Sequence, residues 1–172
     1  MGKKIVVSFP GGRGYEIPLL YFLAKVYEDK GYEKFLISHP GYRDYEYSEL
    51  LLNAEKKIKQ IDFDDYEDIV FVAKSIGTVI ACQLKEKYQI AAKLILLTPL
   101  SETMPHIVAD NNIKLVALGD KDRYIEPTQV VERCKEADVL CYLEQDVGHR
   151  MEVMNDIKRN LQIIENVIEI LG

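Results

Sequence analysis

Cysteine is scarce in this sequence. Cys82, Cys134 and Cys141 are the only three, and they form no C-x-x-C pair and no metal-binding spacing. An odd number in apolar contexts argues against a disulfide framework and reads as reduced thiols filling core space. Basic runs are lacking too. The formal charge is −6 and no Lys/Arg-rich stripe appears, which argues against general nucleic-acid affinity. No apolar run approaches the roughly 18 residues expected of a membrane span. The opening "MGKKIVVSFP" is basic and then apolar, but its apolar part is too short for a signal peptide. It reads as a first strand, and the protein is expected in the cytoplasm. No repeat, linker or low-complexity tract interrupts the chain, so residues 1–172 are expected to form one domain. The acidic stretch "DFDDYED" (62–68) lacks the EF-hand pattern and reads as a solvated loop entering a strand. Neither a metal nor a cofactor is expected.

What the sequence does contain is an alternation. Short apolar runs appear at 4–9, 34–38, 68–73, 93–98, 113–119 and 138–144. They are apolar on nearly every position, as in strands covered on both faces. Between them lie segments with a helical period. Pro18 opens one whose Leu20, Leu23, Ala24 and Tyr27 share a face, and Gly31 stops it. Leu51, Ala54 and Ile58 mark a second; Ile76, Ile80, Leu84 and Tyr88 a third. Pro127 opens a fourth with Val130, Val131 and Cys134. A last helix is expected from about Met151 to Leu171, with Met154, Ile157, Leu161, Ile164 and Ile168 on one face. Repeated β-α units predict an α/β fold: a doubly wound, mainly parallel six-stranded sheet with helices on both faces.

Ligands of such sheets meet the loops at the carboxyl ends of the strands. In chain order those loops hold "PGGRG" (10–14), "HPGYRDY" (39–45), Lys74-Ser75-Ile76-Gly77, "PLSETMPH" (99–106), "GDKDRYIEP" (119–127) and "QDVGHRM" (145–151). A serine, then aspartates, then a histidine thus arrive at one edge. An alcohol needs a base to attack an acyl carbon, and the base needs an orienting carboxylate. Each residue alone has a plainer reading: Ser75 as a helix cap, Asp120 and Asp122 as turn residues, His149 as a surface group.

The pattern resembles a small, cap-less α/β-hydrolase along essentially the whole chain. Ala73-Lys74-Ser75-Ile76-Gly77 is similar to the nucleophile elbow G-x-S-x-G, with alanine for the first glycine. "LGDKD" resembles the acid turn of that family and selects Asp122, with Asp120 as second choice. "VGHRM" resembles its histidine loop and selects His149. "FPGGRG" stands where the family carries its oxyanion loop, with Pro10 in place of the usual histidine. The resemblance implies Ser75 as nucleophile, His149 as base and Asp122 as orienting acid. It also implies an oxyanion held by the N–H groups of Ile76 and of Gly12 or Gly11.

The implied function is a serine hydrolase, a carboxylesterase or thioesterase, acting on a small-molecule acyl substrate. Two alternatives stay open. The Pro10–Gly14 loop can be read as a phosphate or nucleotide cradle, although it matches neither G-x-G-x-x-G nor G-K-[ST]. The fold can also serve an inactive binding protein. The connection from Pro99 to Asn112 is too short for a cap domain, so an open site is expected. Arg13, in the oxyanion loop, is expected to face the site and favour an acidic substrate. Lys74 and Arg150 read as solvated surface charges. His39 reads as structural or substrate-facing, and His106 lacks an acid at family-like spacing. Oligomeric state is left open.

Overall fold

The computed structural model describes residues 2–14, 17–38 and 46–172. The loop "HPGYRDY", and with it His39, lies outside the described residues. Six strands form one sheet: β1 (Lys3–Phe9), β2 (Glu33–Leu36), β3 (Tyr66–Lys74), β4 (Lys93–Leu97), β5 (Ile113–Gly119) and β6 (Cys141–Glu144). Among the described residues four α-helices connect strands, α1 (Pro18–Asp29), α2 (Tyr47–Ile58), α3 (Ile76–Lys87) and α4 (Pro127–Glu136), and α5 (Ile157–Leu171) follows β6. Sheet order is β2-β1-β3-β4-β5-β6, and every pairing is parallel.

The strands alternate, but both of their faces are apolar. Val6, Val70, Val72, Ile95, Leu97, Leu115 and Ala117 pack with Leu19, Leu20 and Leu23 of α1 and Ile163, Ile164 and Val167 of α5. Ile5, Val7, Phe9, Ile69, Phe71, Ala73, Leu94 and Leu96 face the other way, toward Leu50 and Ala54 of α2, Ile80 and Leu84 of α3 and Val130 of α4. Burying a side chain of this size contributes about 1.5–3 kcal/mol. Two helix layers on one sheet therefore hold it from both sides. The chain leaves β1 for β2 on one side, then returns to build β3 on the other. The order reverses between β1 and β3, and a crevice opens at the carboxyl end of such a reversal.

Two boundaries differ from the sequence reading by three residues or more. The last helix starts at Ile157, six residues later than expected. Met151 and Asn155 take positive φ, 57° and 62°, which a helix cannot include. The Asp156 carboxylate then accepts the Arg159 N–H at 2.9 Å and caps the helix. The expected apolar face is correspondingly shifted: Met154, Ile157 and Leu161 are 87%, 73% and 56% exposed. The last strand starts at Cys141 rather than 138. Asp138 has φ 54°, and the N–H groups of Asp138 and Val139 return to Lys135 and Cys134, closing α4.

The acidic stretch at 62–68 has plain partners. Asp62 caps a short 3-10 turn, Asp65 pairs with Lys3 at 3.1 Å, and Asp68 binds Lys93 at 2.7 Å and the Tyr32 hydroxyl at 2.9 Å. Cys82 and Cys134 are buried, Cys141 is half-buried, and all three thiols are free.

Candidate active site

β3 ends at Lys74 and α3 begins at Ile76, so Ser75 alone makes the corner. Its backbone sits at φ 53°, ψ −126°, a region that costs a non-glycine residue about 1–3 kcal/mol. A helix cap would sit in the extended region and accept an N–H two or three residues on. Ser75 does neither: its side chain makes no capping bond. Its Oγ lies 2.7 Å from His149 Nε2 instead. The tight turn requires Gly77, because a Cβ there would stand 2.3 Å from the Phe9 carbonyl oxygen. Ala73 is fully buried and pairs with Phe9 on one side and Leu96 on the other, so a methyl is accommodated where the motif has glycine.

His149 and Asp122 come from adjacent loops locked together by backbone contacts. A Cβ on Gly119 would fall 2.0 Å from the Val147 carbonyl oxygen, so the end of β5 must be glycine for the histidine loop to lie on it. The Lys121 N–H donates to that same carbonyl at 2.9 Å. Asp120 turns back and accepts the Val147 N–H at 3.3 Å. Asp122 turns inward. Its carboxyl is fully buried; Oδ2 lies 2.7 Å from His149 Nδ1, and Oδ1 accepts the Tyr124 N–H at 2.9 Å. An ionised carboxylate only accepts, so Nδ1 carries the imidazole proton and Nε2 is left to accept from the Ser75 hydroxyl. The Tyr124 ring, centroid 4.6 Å from that of His149, covers the imidazole from outside.

The Pro10–Gly14 segment folds as a turn beside the serine. The Gly14 N–H donates to the Gly11 carbonyl at 2.9 Å, and Gly14 has φ 59°. Gly11 is pressed against the corner: a Cβ there would meet Ser75 Cβ at 3.0 Å. This turn is not the N-terminus of α1, which opens later on Pro18, a residue with no N–H. Gly11, Gly12, Arg13, Ser75, Ile76 and His149 all line one cleft of about 700 Å³, with Ile17, Leu100 and Tyr124 as apolar wall. Its size suits a small molecule. Asp122 stands behind His149, and Asp120 serves the loop. His106 lies elsewhere, 3.5 Å from Glu86 in the last turn of α3, roughly 16 Å along the helix from Ser75.

Comparison with solved structures decides the fold. A serine hydrolase homologue from Coxiella burnetii superposes with a TM-score of 0.72, at 14% identity, over 99% of this chain and 85% of that one. Est1E from Butyrivibrio proteoclasticus gives 0.64 at 14% identity, over 99% and 89%. An α/β-hydrolase enzyme from a Moroccan lagoon-sediment metagenome gives 0.63 at 15% identity, over 98% and 92%. The chain has the α/β-hydrolase fold. No family model matches the sequence, and no curated protein does. In this chain the corner after β3, the turn after β5 and the loop after β6 meet, with Ser75 Oγ and Asp122 Oδ2 each 2.7 Å from the His149 ring.

One expectation about charge is corrected. Lys74 is not a solvated surface charge but a buried side chain, 3% exposed. It shares its face of β3 with Val70 and Val72, and its Nζ donates to Thr98 Oγ1 at 2.8 Å and to the His149 carbonyl at 2.9 Å. Arg150 is exposed and pairs with Glu152 at 2.8 Å. Sequence reasoning missed Lys74, Thr98 and Tyr124. Lys74 falls just past the apolar run at 68–73 and so reads as a loop charge. Thr98 and Tyr124 carried no signal, because their roles depend on tertiary placement.

Proposed function

We propose that this protein is a serine hydrolase that cleaves a small ester or thioester through an acyl-enzyme. The observation that carries the reading is the continuous chain Ser75 Oγ–His149 Nε2 and His149 Nδ1–Asp122 Oδ2, both links 2.7 Å, on a serine that caps nothing. Ser75 Oγ attacks the acyl carbon while its proton passes to Nε2. Asp122 keeps the proton on Nδ1 and stabilises the imidazolium. The carbonyl oxygen becomes an oxyanion facing the N–H of Ile76, which has no acceptor within its helix, and that of Gly12 or Gly11. Losing one such donor typically raises the barrier by about 2.7–4 kcal/mol. The bond to the alcohol or thiol then breaks, and the leaving group takes the proton from Nε2. Water repeats the sequence, yielding the acid and free Ser75.

The cleft also supports an anionic substrate. Arg13 and Arg123 line it, and no acidic partner holds either among the described residues. Lys121 and Arg150 add further positive charge at the rim, each paired to an acid. A cytoplasmic setting belongs to this reading, since free thiols persist in reducing compartments.

The test is hydrolysis of p-nitrophenyl esters by wild type and Ser75→Ala. The wild type should cleave them, and Ser75→Ala should be folded and inactive. Esters of equal length with and without a terminal carboxylate should differ, and Arg13→Ala should narrow the difference. Equal slow hydrolysis by both proteins would refute the assignment. Equal kcat/KM for both esters would refute only the anionic preference.

A further inference from the structure

Among the described residues Lys74 is the one buried cation next to the proposed chemistry, and neither the attack nor the proton transfer uses it. It occupies the last strand position before Ser75. A buried ammonium is costly unless its hydrogens are matched. Here two of them are, one by Thr98 at the end of β4 and one by the main chain of His149. Thr98 follows β4 directly and is itself fully buried, and its N–H donates to the Ala117 carbonyl of β5 at 2.6 Å. The other acceptor is the main-chain carbonyl of His149. The histidine loop otherwise rests on this edge through the Lys121 N–H, the Asp120 carboxylate and the packing of Val147 and Met151. None of those contacts reaches residue 149.

We infer that Lys74 is a positioning residue, whose ammonium ties the His149 main chain to the ends of β3 and β4 and so holds the imidazole between Ser75 and Asp122. The inference rests on the serine-hydrolase reading of this site. It follows from geometry: the residue that offers the nucleophile and the residue that anchors the base are neighbours in sequence, so one strand end sets both. A ring free to rotate by a fraction of an ångström loses its bond to Oγ, and misplacement of about 1 Å costs roughly 10²-fold in rate.

The clamp also titrates. Burial pushes the Lys74 ammonium down to about 8 from its ordinary 10.5. The charges of Asp122 and Glu152 oppose that shift, and Arg150 adds to it. Thr98 and the His149 carbonyl contribute neutral oxygens. Below about pH 8 these two bonds are charge-assisted; as pH rises through it the neutral amine keeps two N–H donors, and the bonds weaken with the loss of charge. Stability runs the other way. A lysine easier to deprotonate folded than unfolded makes folding more favourable as pH climbs from about 8 to 10.5. An alkaline loss of activity from this source is not unfolding.

The experiment compares wild type, Lys74→Met, Lys74→Gln and Thr98→Val. It uses ester kinetics across pH, the rate of Ser75 labelling by a fluorophosphonate, and the low-field proton resonance of His149 Nδ1–H. Lys74→Met should lower kcat and the labelling rate by about 10²-fold with KM little changed. It should abolish the alkaline limb near pH 8 and weaken or shift the low-field resonance. Lys74→Gln, a donor that does not titrate, should recover part of the rate without the alkaline limb. A folded Lys74→Met that labels as fast as wild type, or keeps the alkaline limb, overturns the inference while the serine-hydrolase reading stands. If Lys74→Met does not fold, Thr98→Val decides: a lowered kcat with a displaced alkaline limb supports the clamp, and an unchanged profile overturns it. A wild type that does not label at Ser75 overturns both.

Discussion

Asp122 commits both carboxylate oxygens, one to the His149 ring and one to the Tyr124 N–H, whereas Asp120, two residues earlier, spends one of its own on the Val147 backbone. Sequence left these two in ranked order, because two acids in one turn differ only in where the backbone points them. The structure separates them by direction. Asp122→Asn keeps the shape but can offer an amide N–H where a carboxylate is needed, so it should lower kcat by about 10³–10⁴-fold with the fold intact. Asp120→Asn retains an oxygen for Val147 and should leave kcat near wild type, costing at most about 1 kcal/mol of stability. Ester kinetics and thermal melts on both variants check this; equal losses of activity would show that the acid has been misplaced. Ser75 was ambiguous in the same way. A helix cap and a nucleophile have the same sequence context, and the positive φ and missing cap bond argue against the cap.

At the scale of elements, the glycines at strand ends determine whether the site can assemble. Gly77 lets α3 start against the Phe9 and Pro10 carbonyls, and Gly119 lets the histidine loop lie on β5. An added methyl at either place meets backbone, which cannot swing aside. Gly77→Ala and Gly119→Ala should therefore lower stability by about 1–3 kcal/mol or more, read as a fall in Tm. Gly148→Ala, whose Cβ meets nothing nearer than the Lys121 carbonyl at 3.5 Å, should leave Tm unchanged. Unchanged melting of Gly77→Ala would contradict the close approach. The elements themselves were legible. Short apolar runs with no polar face, rich in β-branched residues, read as strands buried on both sides, and β-α alternation then leaves a parallel sheet between helices. What escaped was local. The start of α5 is set by positive φ at Met151 and Asn155, and by an Asp156 cap, none of which alters the hydrophobic period. A periodic stripe therefore read straight through a loop.

The whole molecule is acidic, with a formal charge of −6, yet its cleft gathers Arg13, Lys74, Lys121, Arg123 and Arg150 against Glu152. On the proposed reading, such a cleft in a negative body would concentrate anionic substrates. That asymmetry is invisible in the total charge and depends on which loops the sheet order brings together. The reversal between β1 and β3 is what sets the Gly11–Gly14 turn against the Ser75 corner, with Asp122 and His149 arriving from the far side. Chain order foretold that convergence; the ammonium beneath it was not foretold, because a lysine at a loop edge reads as solvent-facing until the histidine loop is seen to cover it. The central claim is that Ser75 is an activated nucleophile. Reaction of the intact protein with a fluorophosphonate, followed by peptide mass spectrometry, tests it without any knowledge of the substrate. One adduct is expected, on Ser75, lost in Ser75→Ala and strongly slowed in His149→Ala. No adduct, or one on another residue with Ser75 untouched, would contradict it.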